Sequence, residues 1–404
     1  MIPFSPPRID DKIINEVIAA LKSGWITTGP RTKEFEQQLA EYCSVEKVMA
    51  VNSWTSGAEM LLHWFGIQEG DEVIVPAYTY CASANIVVHC GAKVIMVDVN
   101  EDFTISLERI KKAITPRTKA IIPVDIAGLP VDYDGIMSLV NENSIRSQFQ
   151  ANTERQKKLG RILVLNDAAH SFGARYKSKV IGSQCDFTVF SFHAVKNLTT
   201  AEGGAIAMNL PQPYNNLELY SELSTYGLHG QNKSALDKTK KGAWEYDVID
   251  AGYKCNMTDI LASIGLVELA RYDSETLIER KRIVEQYDAT FSKLDWAIVP
   301  VHKDENRTSS YHLYLLRIKG ITLEQRNAII QKIFDKDVSV NVHFKPLPLL
   351  TAYKSRGYRI EDYPMSNALW ENEISLPIFF GLDEEKTNTV IQAVINSYQE
   401  VLGS

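Results

Sequence analysis

The chain is 404 residues long, 45 % hydrophobic and 23 % charged, with 43 Lys+Arg against 50 Asp+Glu and a formal net charge of −7. This arithmetic excludes disordered, collagen-like and disulfide-scaffold classes, and the length allows two or three domains. No basic stripe is present to meet nucleic acid or an anionic membrane, so neither is expected as a partner. The densest basic stretch, Lys233 to Lys241, is broken by Asp237 and reads as a mobile loop.

Cys43, Cys81, Cys90, Cys185 and Cys255 are widely spread and form no C-x-x-C pair, so free thiols in a reducing cytosol are expected rather than a zinc or redox motif. The run Met1–Pro7 lacks the basic and apolar regions of a signal peptide, and no apolar run approaches the ~18 residues of a membrane span. A soluble, cytoplasmic protein is expected.

In chain order, Ile9, Ile13, Ile14, Val17, Ile18 and Leu21 recur at helical spacing and predict an amphipathic helix over residues 10–22, closed by Gly24. Residues 25–30 (Trp-Ile-Thr-Thr-Gly-Pro) read as a turn, and a second helix buries Phe35, Leu39 and Tyr42. Short Val/Ile-rich runs then appear at Val48–Val51, Glu72–Val75, Lys93–Val99, Ala120–Val124, Ile162–Leu165, Phe187–Phe190 and Ala205–Met208. Several are continuous rather than alternating, as in strands buried on both faces, and helical segments separate many of them. An α/β fold follows, with a mostly parallel sheet and helices on both sides. The polar stretch 138–160 reads as a solvated helix or insertion outside this layer. Beyond Thr258 the texture changes to a long helical segment through Tyr287, a strand at Tyr311–Ile318, a helix near Leu323–Phe334 and a strand at Val338–His343. Residues 1–255 are therefore expected to form a large domain, and residues 256–404 a smaller α+β domain with a long connecting helix.

Two polar constellations leave the carboxyl ends of neighbouring strands, the edge at which open α/β sheets bind ligands. Asp167 follows Leu163-Val164-Leu165, and Lys196 follows Ser191-Phe192-His193-Ala194-Val195. A buried carboxylate needs a cationic partner or it neutralises. Taken alone, the two residues fit a structural ion pair as well as the two fixed points of a pyridoxal 5′-phosphate (PLP) site, a Schiff-base lysine and a partner for the pyridinium nitrogen. A third element is Asn52-Ser53-Trp54-Thr55-Ser56-Gly57, a hydroxyl-rich turn that opens a helix and so presents free backbone N–H groups to a phosphate. Ser191 could add a hydroxyl to the same phosphate. No GxGxxG turn follows the first strand, which speaks against a dinucleotide dehydrogenase.

Together with residues 23–30, 70–76, 114–124, 202–204, 252–259 and 341–344, these motifs make the chain resemble the DegT/DnrJ/StrS family of PLP-dependent nucleotide-sugar aminotransferases, of fold type I, the aspartate aminotransferase-like fold. The resemblance runs along nearly the whole chain. It implies PLP as cofactor, with Lys196 as the Schiff-base lysine and Asp167 opposite the ring nitrogen. His170 and Tyr80 would lie at the ring, and Trp54, Thr55 and Ser191 at the phosphate. Asn256 would reach the phosphate from a neighbouring subunit, which implies a homodimer with shared active sites. Thr27, His193, His312, His343 and Lys345 would surround a nucleotide-sugar substrate, with glutamate and 2-oxoglutarate as amino donor and its keto product. Since such a substrate carries a diphosphate, the pocket is expected to be locally basic, through Lys345 and His343.

The substrate implied is a UDP-linked 4-keto-6-deoxy-hexose or N-acetyl-hexosamine destined for a surface polysaccharide or glycan. UDP-4-keto-arabinose and 3-keto sugars are the alternatives. A PLP-dependent sugar dehydratase would carry histidine in place of Lys196, and a non-catalytic relative would be expected to lose Lys196 or Asp167. Of the remaining polar residues, Asp125 could face the sugar, Glu202 reads as a structural contact, and His170 and His193 have no evident carboxylate to orient them.

Overall fold

The computed structural model describes residues 1–233 and 245–403. Of the basic stretch expected to form a loop, all but Lys233 lies outside the described residues. The first helix, α1 (Asp11–Ser23), starts where Asp10 accepts the N–H of Ile13, and it ends at Gly24, whose φ of 78° only glycine adopts freely. Ile13 and Ala20 are buried, but Ile9, Ile14, Ile18 and Leu21 are exposed, so part of the apolar stripe meets no residue of this chain's core. Helix α2 (Pro30–Cys43) buries Phe35 and Leu39.

Thirteen strands follow among the described residues. The central sheet holds β1 (Lys47–Val51), β2 (Glu72–Pro76), β3 (Lys93–Val97), β4 (Thr118–Ile121) and β5 (Leu163–Asp167). Strands β6 (Arg175–Tyr176) and β7 (Lys179–Val180) form a small ribbon, and β8 (Phe187–Ser191) and β9 (Gly204–Met208) return to the centre. The order is β1-β9-β8-β5-β4-β2-β3, and β9 alone runs against the others. All seven apolar runs read from the sequence are thus strands of one mostly parallel sheet. Its two faces are covered by separate apolar layers, one around Trp64, Phe65 and Phe187, the other around Phe35, Tyr133 and Phe190. Residues buried on both faces explain why the sequence pattern is continuous instead of alternating.

The polar 138–160 stretch forms helical pieces that are less solvated than expected. Ile145 and Leu159 are buried, and Gln156 is fully enclosed, its amide donating to the carbonyls of Phe65 and Gly66. Further on, β10 (Ala297–Ile298), β12 (Tyr314–Ile318) and β13 (Glu373–Leu376) form a second, antiparallel sheet with its own core around Tyr287, Tyr314 and Ile329, while β11 (Arg307–Thr308) joins the ribbon. Two sequence expectations differ here. The strand at 311 begins only at Tyr314, because His312 and Leu313 spend their N–H groups on the carbonyl of Ala127. No strand forms over 338–343: Val338 pairs with Ile2 and Asn341 with Ser375, so the two ends of the segment follow different neighbours.

The long helical segment is interrupted. A helix over Asp259–Ala270 and another over Leu277–Phe291 are separated by a wider turn at Tyr272–Thr276. Asp259, fully buried, reaches back some 230 residues to the start of α2. It accepts the N–H groups of Gly29 (2.7 Å), Thr32 (2.9 Å) and Arg31 (3.1 Å) and the hydroxyl of Thr32 (2.7 Å). Gly29 has no side chain with which to cap α2, so a distant carboxylate does it instead. Asp259→Ala would leave these donors buried and unpaired. It is expected to lower the unfolding free energy by about 3 kcal/mol, read as a lower urea midpoint.

Candidate active site

The carboxyl ends of β1, β2, β5 and β8 open onto one cavity of about 430 Å³. Its wall brings together Trp54, Thr55, Tyr80, Asp167, His170, Ser191, His193, Lys196, His312 and His343, ten of the thirteen residues singled out in the sequence. Thr27, Asn256 and Lys345 do not line it. Thr27 is exposed, with its carbonyl accepting the N–H of Asp259, and Lys345 is exposed as well. The Asn256 amide donates to the Thr28 hydroxyl at 2.5 Å.

Asp167 is the last residue of β5 and is buried. Desolvation pushes its carboxyl up to about 6, although the Ser83 hydroxyl (2.8 Å) and the Ala169 N–H (3.2 Å) both donate to it. No cation lies within ion-pair distance of it among the described residues, and Lys196 acts on it only at longer range. The Lys196 amine is in turn pushed down to about 8 by desolvation, an effect that Asp167 opposes. A buried carboxylate and a half-buried amine thus face the same space, each displaced by desolvation toward its neutral form.

Helix α3 (Trp54–Phe65) starts at the cavity wall. Ser53 caps it by accepting the N–H of Ser56, while the N–H groups of Trp54 and Thr55 find no acceptor among the described residues. This helix start sits directly against β9: a Cβ on Gly204 would lie 2.8 Å from the Trp54 nitrogen and 2.7 Å from the Phe190 carbonyl oxygen. Gly204 thereby lets a helix N-terminus approach the sheet, which is the setting a phosphate requires. Trp54, whose bulk is unexpected in such a turn, is 4 % exposed and belongs to the core around Trp64.

Three histidines in the wall are held neutral. Burial pushes His170 and His312 well below the ordinary range and His343 down to about 3, with Lys196 adding to each shift. The His170 Nδ1 accepts the N–H of Ala127 at 3.2 Å, and its ring centroid lies 4.3 Å from that of His312. The Nδ1 of His312 pairs with the Asn197 side chain at 2.7 Å. These facts correct the expected source of positive charge: His343 is uncharged and Lys345 stands outside the cavity.

Two further readings change. Asp125 does not face the cavity; it is enclosed and accepts from Ser171 and Tyr133 (both 2.6 Å), Val131 (2.9 Å) and Asn166 (3.0 Å). His193 does have a carboxylate nearby, Glu202 at 3.7 Å, with both groups exposed at the rim. Sequence reasoning missed Phe4, which stacks on His343 with centroids 5.3 Å apart, and Ser5, whose hydroxyl donates to the Val195 carbonyl. It also missed Ser83, which lies three residues beyond Tyr80 and could have been found as part of the same turn.

The geometry is that of a known family. A model of the DegT/DnrJ/EryC1/StrS aminotransferase family matches residues 7–395. The chain belongs to this family. It is 37 % identical to an uncharacterised protein of Methanocaldococcus jannaschii, over 97 % of this chain and 96 % of that one. It is 33 % identical to the spore coat polysaccharide biosynthesis protein SpsC of Bacillus subtilis, with the same coverages. Among solved structures, a Streptococcus pneumoniae protein assigned as a sugar aminotransferase matches in its PMP form with a TM-score of 0.95 and 46 % identity over 100 % of both chains. Its PLP form matches at 0.94 and 45 %, over 99 % of both. Family and fold type expected from the sequence are borne out.

The displaced carboxyl of Asp167 has a measurable cost. With a native value of about 6 against about 4 unfolded, its contribution is fully present below about pH 4 and lost as pH rises through 6. In the cofactor-free protein Asp167→Asn is therefore expected to raise stability by about 3 kcal/mol at pH 8 and to leave it unchanged near pH 4, as read by urea unfolding.

Proposed function

We propose that the chain is a PLP-dependent aminotransferase that moves the amino group of glutamate to a keto sugar carried on a nucleotide, in polysaccharide biosynthesis. The observation that carries this reading is the convergence of Lys196, Asp167 and the free N–H groups of α3 on one cavity. The donor set fits the cofactor. Trp54 and Thr55 would offer backbone N–H groups, and Ser191 a hydroxyl, to the phosphate. Asp167 would stand opposite the ring nitrogen, and His170 and Tyr80 would border the ring. When bound, PLP supplies an electron sink for the carbon that loses its proton.

The remaining work falls to the chain itself. An ordinary lysine is neutral in only ~0.04 % of molecules at pH 7, whereas an amine near 8 is neutral in about a tenth of them. Lys196 can therefore take the proton from the donor's Cα and return it elsewhere without a large penalty. A ring nitrogen that carries a proton would give Asp167 the cation it lacks in the cofactor-free protein, which draws its carboxyl back to the ionised form. The cavity wall excludes water with Phe4, Val195, Leu313 and Phe344.

The finer substrate reading is a UDP-linked 4-keto-6-deoxy-hexose or N-acetyl-hexosamine. The kinship with a spore coat polysaccharide protein supports the polysaccharide pathway. A homodimer is part of the proposal. Asn256 does not line its own chain's cavity, and Val248, Ile249, Ile14 and Ile18 stand exposed.

Purified protein given PLP is expected to show the visible absorbance band of lysine-bound cofactor and to transfer labelled nitrogen from glutamate to a member of a panel of UDP-, dTDP- and GDP-keto sugars. Lys196→Ala should abolish both; protein that shows no such band would overturn the enzyme reading. The shared site has its own test. Lys196→Ala and Asn256→Ala proteins, each inactive alone, are expected to regain about a quarter of wild-type activity when refolded together, because half the dimers then hold one intact site. Absence of recovery would place Asn256 in its own chain's site.

A further inference from the structure

His343 is held more tightly than a wall residue needs to be. Its backbone N–H is shared between the Ser375 hydroxyl (3.1 Å) and the Glu373 carboxyl (3.2 Å), and its ring Nδ1 lies 2.9 Å from the same Ser375 oxygen. Ser375 is in turn 2.5 Å from Glu373. The ring plane is fixed by Phe4 at an interplanar angle of 19°, and the His343 carbonyl accepts the Tyr78 hydroxyl at 2.9 Å. With Nδ1 occupied, Nε2 is the one ring nitrogen left for a molecule in the cavity; no partner for it exists among the described residues.

We propose that Glu373 and Ser375 are positioning residues that act through His343, a chain of two hydrogen bonds setting whether its Nε2 offers the bound sugar an acceptor or a donor. This rests on the reading that a sugar nucleotide enters the cavity.

The two states follow from counting protons on Ser375, which has one hydrogen to give and two lone pairs. With Glu373 ionised, Ser375 donates to it and accepts both the backbone N–H and the Nδ1–H of His343, which leaves Nε2 bare. With Glu373 protonated, the carboxyl donates to Ser375, Ser375 donates to Nδ1, and the imidazole carries its single proton on Nε2. Passing between them adds one proton in all: solvent delivers it to Nε2, the Nδ1 proton moves to Ser375, and the Ser375 proton moves to Glu373. The imidazole is neutral at both ends, in keeping with the burial that opposes its charging.

The charged and titratable groups around the chain are few. Arg326, on the helix Leu323–Phe334, donates to the Glu373 backbone carbonyl at 2.9 Å and draws the carboxyl toward ionisation. Arg317 is its cross-strand partner on β12, and Tyr78 faces it from the end of β2. His343 is faced by Lys196, His170 and His312. Glu373 is completely buried, and desolvation raises it to about 8, so the reversal falls where the enzyme can be studied. Catalysis at Lys196 does not need this device. Its effect is on how tightly one sugar hydroxyl is held.

The test is made on the full chain labelled with 15N-histidine, with the His343 signals assigned by their loss in His343→Gln. Between about pH 6 and about pH 10, Nε2 of the wild type is expected to pass from the protonated to the bare chemical-shift range. Glu373→Gln has no proton to gain or lose, so Nε2 should keep a single tautomer throughout, and Ser375→Ala should show no transition. A wild-type His343 that keeps one tautomer across this range overturns the proposal, as does a Glu373→Gln protein that retains the transition. These spectra need no substrate and stand apart from the functional reading. Where transfer to a sugar nucleotide is measurable, KM for that sugar should change about threefold over the same pH range and the change should vanish in Glu373→Gln, while the pH dependence of kcat, which Lys196 sets, should be the same in both proteins. A KM that titrates identically in both proteins counts against the relay.

Discussion

A carboxylate at the end of a strand buried on both faces has no inexpensive way to be ionised, and much of this chain is organised around that constraint. Asp167 is brought into the interior because β5 lies in the middle of the parallel sheet. Two neutral donors, Ser83 and Ala169, are all that the described residues supply within hydrogen-bond distance. The charge it lacks is left for something that enters from the cavity side. Lys196 shows the complementary condition, an amine moved out of water. Each group is unfavourable to the empty fold and becomes useful only when the space between them is filled, the trade of stability for function that active sites commonly show.

The sequence made the sheet legible because its strands are continuous apolar runs, and it made Asp167, Lys196 and the α3 turn legible because they fall at strand ends. What it left out shares a physical cause. Phe4, Ser5, Glu373 and Ser375 enter the cavity wall or its support through contacts between segments hundreds of residues apart, and no local period announces such contacts. The displaced strand start at Tyr314 belongs to the same class, since the Ala127 carbonyl competes for the N–H groups that a strand would use. Charge was misjudged for a related reason. A histidine read as basic in a sequence becomes neutral once its surroundings are dry and a lysine stands nearby.

Among the described residues, the wall of the cavity is therefore short of permanent positive charge for a diphosphate-bearing ligand. In the reading proposed above Lys196 is committed to chemistry, while three histidines are neutral and Lys345 lies outside. Backbone N–H groups at the start of α3 are the main electropositive feature of the wall, and they are claimed by the cofactor's phosphate in the reading given above. A second chain contributing side chains to this opening would answer the deficit, which is a physical reason for a shared site beyond family precedent.

Residues 27–32 and 256–259 meet in a corner held by hydrogen bonds. Asp259 holds the start of α2, Thr28 bridges the Asn256 amide and the Met257 carbonyl, and the Thr27 carbonyl receives the N–H of Asp259. These bonds lace two segments into one stiff bracket. In the homodimer proposed above, such a bracket would present Thr27 and Asn256 to the neighbouring chain's cavity as one rigid unit rather than as two independent side chains.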